Sequence, residues 1–117
     1  MIGRLHAVVI DCPDPRSLAE FYCRVLGMHI VKDSGDWVTI RTDSDAPGVA
    51  FQRAPDLVPP RWPDRDRPQQ FHFDIEVTDV DEAEERVLAA GATRLEGQGE
   101  DFRVYADPAG HPFCLTW

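Results

Sequence analysis

Apolar and polar positions change period several times along the chain, and the second half repeats the order of changes found in the first. Leu5, Ala7 and Val9 alternate with His6, Val8 and Ile10, the two-residue period of a strand. Asp14 then offers an N-cap and Pro15 a favoured first helical residue. Leu18, Phe21, Tyr22, Val25 and Leu26 recur as one helical stripe, and Gly27 supplies the stop. The period returns to two over His29 to Lys32, Trp37 to Arg41 and Val49 to Arg53, with breaks at Ser34-Gly35 and Ala46-Pro47-Gly48. These elements predict a βαβββ module over residues 1–54.

Residues 55–70 interrupt the pattern with five prolines and charges of both signs, and read as a connection. From 71 to 117 the frame recurs. Phe71, Phe73, Ile75 and Val77 share one face of a strand, and His72, Asp74 and Glu76 the other. Asp79 caps a helix with Glu82 at the capping-box position, Val80, Ala83, Val87 and Leu88 form its stripe, and Gly91 ends it. Strands are predicted at Thr93 to Leu95, Arg103 to Ala106 and Pro112 to Trp117, the last entered through the turn Asp107-Pro108-Ala109-Gly110. The expectation is one α+β domain of two βαβββ modules, its mixed, mostly antiparallel sheets curved into a cup with both helices outside.

At 117 residues and 43% hydrophobic content the chain can bury one ordinary core. A net charge of −9, with no basic cluster interleaved with aromatics, argues against a nucleic-acid partner. No apolar run reaches membrane-spanning length, and the N-terminal run is too short and meets proline too early for a signal peptide. Cys12, Cys23 and Cys114 make neither a CxxC pair nor an even disulfide framework, so free thiols and a cytoplasmic location are expected. No Walker lysine or complete dinucleotide glycine motif is present.

If the helices pack outside, His6 and His72 fall on the cup side of the first strand of each module, and Gln52 and Cys114 on the last. Two imidazoles, a carboxamide oxygen and a thiolate form a donor set for a divalent metal. His6 reads equally as a hydrogen-bonded strand histidine, whereas Gln52 is by residue type more often a surface or rim residue and Cys114 more often a small buried filler than a ligand. His72 shares its face with Asp74, which either orients the imidazole or lies at the solvated rim. Trp62, on the proline-stiffened connection, is placed to cover the mouth and stack on a flat ligand. The acidic run Asp79, Asp81, Glu82, Glu84 and Glu85 reads as a solvated helix face, and His111 as part of the turn.

The segments LHAVVIDCPDPRSLAEFYCRVLGM, FQRAPD, QFHFDIEVTDVDEAEERVLAAGA and YADPAGHPFCL together resemble the vicinal oxygen chelate superfamily of glyoxalases, bleomycin-resistance proteins and extradiol dioxygenases. The resemblance spans nearly the whole chain and is nearest to the small glyoxalase-like subgroup. It implies metal ligands at His6, Gln52, His72 and Cys114. Cys114 stands where glyoxalase I-like members carry the glutamate that also moves the proton, so methylglyoxal isomerisation by that route is not expected. Two functions follow. One is a lyase- or isomerase-type enzyme using Zn, Ni, Fe or Co on a small substrate with adjacent oxygens; the other is a metal-free binding or drug-sequestering protein, with the acidic charge favouring a cation. The resemblance and the exposed sheet edges also predict a homodimer.

Overall fold

A computed structural model describes all residues 1–117. The elements run β1 (Ala7–Cys12), α1 (Pro15–Leu26), β2 (His29–Asp33), β3 (Trp37–Arg41), β4 (Gly48–Arg53), β5 (Phe73–Glu76), α2 (Val80–Ala90), β6 (Thr93–Gln98), β7 (Phe102–Ala106) and β8 (Pro112–Thr116). They form two compact units, Met1–Leu57 and Val58–Trp117, each a βαβββ module. The fold is α+β, with two four-stranded mixed sheets ordered β1-β4-β3-β2 and β5-β8-β7-β6. In each sheet the first and last strands of the module run parallel and the other pairs antiparallel. Most of the proline-rich segment read as a connection belongs to the second unit. There Arg61 N–H donates to the Arg67 carbonyl at 2.8 Å.

Both helices begin and end where the cap residues dictate. The Asp14 carboxylate accepts from Ser17 N–H at 3.2 Å, and that of Asp79 from Glu82 N–H at 3.1 Å. Gly27 (φ 68°) and Gly91 (φ 118°) close them in the left-handed conformation that glycine adopts without steric cost. In the first unit α1 buries Leu18, Phe21 and Tyr22, and the Tyr22 ring stacks on Phe51 of β4 with centroids 5.7 Å apart. Phe51 therefore marks the helix side of that sheet, along with its neighbours Ile10 and Val38. Ala7, Val9 and Asp11, with Gly48, Ala50 and Gln52 beside them, carry the helix-free face.

The second unit repeats this layering. Tyr105 of β7 stacks on Phe113 of β8 at 5.5 Å and donates its hydroxyl to Glu84 of α2 at 2.8 Å, which fixes the helix side. Cys114, its neighbour Val104, and Asp74 belong to the opposite face. Several strand ends differ from the sequence reading by one to three residues: β1 runs from Ala7 to Cys12, leaving His6 outside it, β5 begins at Phe73, leaving Phe71 exposed, and β6 continues past Leu95 to Gln98. The register between β6 and β7 shifts between Arg94 and Gln98, around Gly97 at φ 105°. No helix is long and apolar enough to cross a membrane.

The acidic run on α2 is not merely solvated. Glu84 accepts from Arg94 at 2.9 Å, Arg103 at 3.2 Å and Tyr105 at 2.8 Å, while Arg103 also pairs with Asp81 at 3.0 Å. The network ties α2 to β6 and β7. The sequence signal was available: Arg103 and Tyr105 share the helix-facing parity of β7, and Glu84 stands one turn of α2 from Val87 of the apolar stripe.

Candidate functional site on the second sheet

The register of the second sheet assembles the site. Asp74 and Cys114 are Cα partners in the parallel pair β5–β8, and His72 precedes β5 two residues before Asp74, on the same side of the pleat. His72 Nε2 lies 3.1 Å from Asp74 Oδ1, and one donor atom from each of His72, Asp74 and Cys114 falls within a 4.8 Å cluster. Cys114 is buried, whereas His72 and Asp74 reach solvent. Burial, with the Asp74 carboxylate alongside and accepting the S–H, pushes the Cys114 thiol up to about 11. The thiol is therefore no nucleophile at neutral pH.

Trp62 lies beside β6 of this sheet, near Gly97. Its indole N–H donates to the Glu96 carbonyl at 2.9 Å, and its Nε1 and Val104 Cγ2 each stand 3.5 Å from where a Cβ on Gly97 would be. A Cβ there would make ordinary contact with both, and it is the φ of 105° that calls for glycine.

The first unit treats its two candidates differently. Gln52 lies on the helix-free face at the level of Asp11. His6 precedes β1, and its carbonyl accepts from Gly48 N–H at 3.0 Å. The two are five residues apart along the ladder, about 16 Å at strand rise, so the first unit does not bring them together. The N-caps Asp14 and Asp79 align His72 with Ala7, and the ladders align Cys114 with Ala50 and Gln52 with Thr116. The equivalence inferred from sequence separation was therefore one residue out at His6 and two at Gln52. The His6 ring is instead engaged by Arg41, whose Nη2 lies 2.9 Å from Nε2 and 3.1 Å from Nδ1. His29 and His111 lie elsewhere, His29 beside Asp43 at 3.5 Å and His111 in the turn closed by the Asp107 carboxylate.

The profile of the glyoxalase-like domain matches residues 7–116. The chain belongs to the glyoxalase-like domain family. Solved structures of the same fold include a glyoxalase/bleomycin resistance protein/dioxygenase family enzyme from Burkholderia phytofirmans PsJN, 19% identical, with a TM-score of 0.76 over 97% of each chain. A possible glyoxalase from Bacillus cereus is 13% identical, with a TM-score of 0.73 and full coverage of both chains. The fosfomycin resistance protein FosX from Mesorhizobium loti is 18% identical, with a TM-score of 0.73 over 99% of this glyoxalase-like domain and 92% of that chain. These likenesses establish a shared fold. No curated protein matches the sequence.

The donor set of the second sheet fits a divalent ion of borderline softness. An imidazole, a carboxylate and a thiol converge, and their 4.8 Å spread needs only modest closing to reach the spacing of ligands around a ~2.0–2.3 Å coordination shell. The first unit fits less well, because the Arg41 guanidinium occupies the approach to His6 and would repel a second cation there.

Proposed function

We propose that this glyoxalase-like domain acts on a small molecule with adjacent oxygens, in lyase- or isomerase-type chemistry, with a Zn, Ni, Fe or Co ion held by His72, Asp74 and Cys114. The convergence of these three side chains on one sheet face carries the reading. A bound ion would act as a Lewis acid toward vicinal oxygens. Asp74 hydrogen-bonds the His72 imidazole and helps the Cys114 thiol keep its proton in the metal-free protein; that proton would pass to solvent on metal binding. Trp62 offers a flat apolar surface on the same sheet. Thiolate and imidazole favour these ions over Mg. Gln52 and His6 are outside this minimal centre.

Metal analysis of tag-free protein, followed by Co(II) titration, tests the reading. Near-stoichiometric uptake with a thiolate charge-transfer band, lost in Cys114→Ser, is expected. Absence of uptake replaces it with the second reading, a metal-free small-molecule binding or sequestering protein, which the protonated thiol and Trp62 support. We further propose a homodimer in the cytoplasm. The unpaired edges of β1, β2, β5 and β6 and the free cysteines support it. Light scattering at micromolar concentration should give twice the 13.2 kDa chain mass, and a monomer mass would end that reading.

A further inference from the structure

The first sheet carries a cation that no carboxylate neutralises. Four arginines lie on strands. Arg53 pairs with Asp36, Arg94 with Glu84, and Arg103 with Asp81 and Glu84. Arg41, the last residue of β3, has no carboxylate partner. Its Nη2 donates to the His6 carbonyl at 3.1 Å and lies against the His6 ring, and its Nη1 reaches the Ala46 carbonyl at 3.4 Å. In a chain of net charge −9, acidic partners are close in sequence at Asp43 and Asp45. Asp43 lies instead beside His29 at 3.5 Å.

The surroundings are shaped for this guanidinium. A Cβ at Gly48 would stand 2.8 Å from Arg41 Cγ, 3.2 Å from its Nε and 2.7 Å from the Ile40 carbonyl. Any larger residue would push the arginine stem off the sheet face. Gly48 N–H also anchors the His6 carbonyl that receives Nη2. A guanidinium has five N–H donors in a planar fork. The observed contacts leave Arg41 Nε–H without an acceptor, and the ring contact at Nη2 is with an exposed side chain that can turn away.

We propose that Arg41 and His6 form a binding site for an oxyanion, the carboxylate or phosphate group of a small molecule. The anion replaces the His6 ring at Nη2 and accepts from Nη2–H and Nε–H, the side-on fork that matches two oxygens of one group. The displaced imidazole donates to the same anion. In the free protein a His6 ring nitrogen stands at Nη2, where one oxygen of the anion would lie. This site lies wholly within the first unit and does not depend on the metal reading of the second.

The test uses the full chain, treated with chelator, and titrates inorganic phosphate and, separately, acetate at constant ionic strength, with chloride as the reference. Nuclear magnetic resonance of the Arg41 Nε–H and the His6 ring reports the site. Saturable shifts at both, absent with chloride, are expected; phosphate and acetate together identify a general oxyanion site, and a response to one alone names the group preferred. Arg41→Gln should abolish saturation, and Arg41→Lys, which keeps charge and stem, should weaken binding at least threefold. Non-saturating shifts equal to those with chloride would overturn the proposal, as would unchanged affinity in either Arg41 variant.

Discussion

Asp74 stands across the ladder from Cys114 and beside His72, so one carboxylate faces both an imidazole and a thiol. Its position makes it the residue on which the metal reading turns. Removing its charge in Asp74→Asn takes a ligand from the ion and a partner from the imidazole, so the loss in metal affinity should be at least the roughly 10–100-fold that follows when a ligand's outer partner alone is removed. Competition for Co(II) against a chelator should show that loss, with the folded amide spectrum retained because Asp74 is exposed. His6→Ala, by contrast, should leave Co(II) affinity within about twofold of wild type, since Arg41 already occupies the approach to that ring. A tenfold drop in the His6 variant would place His6 in the metal shell.

Helices and strands were legible because their boundaries are written in local chemistry. Asp14-Pro15, Gly27, Asp79 and Gly91 specify helix ends through groups that need no tertiary partner. Register was not legible to one residue, since strand pairing depends on how a whole sheet packs. That is why His6 was aligned with His72, where the caps and ladders put Ala7. Asp74 was visible as a neighbour of His72, but its pairing with Cys114 needed the β5–β8 ladder. The network beneath α2 was missed because an acidic helix face predicts solvent as readily as partners. Glu84→Gln should expose its weight at this scale. It leaves Arg94 without its charged acceptor and Arg103 with Asp81 alone, and a loss of about 1–3 kcal/mol is expected in urea unfolding. A change within about 0.5 kcal/mol would show that solvent already satisfies these groups.

Charge acts on the whole molecule through the same buried donors. The chain carries a net −9 at neutral pH, and compaction already works against self-repulsion. Tyr105 and Cys114 hold their protons more tightly in the folded state than in the unfolded chain. Burial raises Tyr105 above 10, reinforced by its bond to Glu84, and Cys114 rises from 9.0 to about 11. A group with a raised folded value contributes its full stability below its unfolded value and loses it as pH passes through the folded one. For Cys114 the window therefore runs from pH 9 to about 11, and for Tyr105 it opens near 10. Each proton lost also adds a negative charge to a chain that is already acidic. The metal-free protein should thus hold a level melting temperature up to about pH 9 and fall steeply above it, less steeply in high salt, which screens the repulsion. Tyr105→Phe removes the ionisable hydroxyl while keeping the ring on Phe113, at a cost near neutral pH of about 1 kcal/mol. Its alkaline slope should nevertheless be shallower than that of the wild type. Melting curves with parallel pH dependence in the two proteins would mean that Tyr105 ionises no later in the fold than in the open chain, and that the α2 network does not hold its proton.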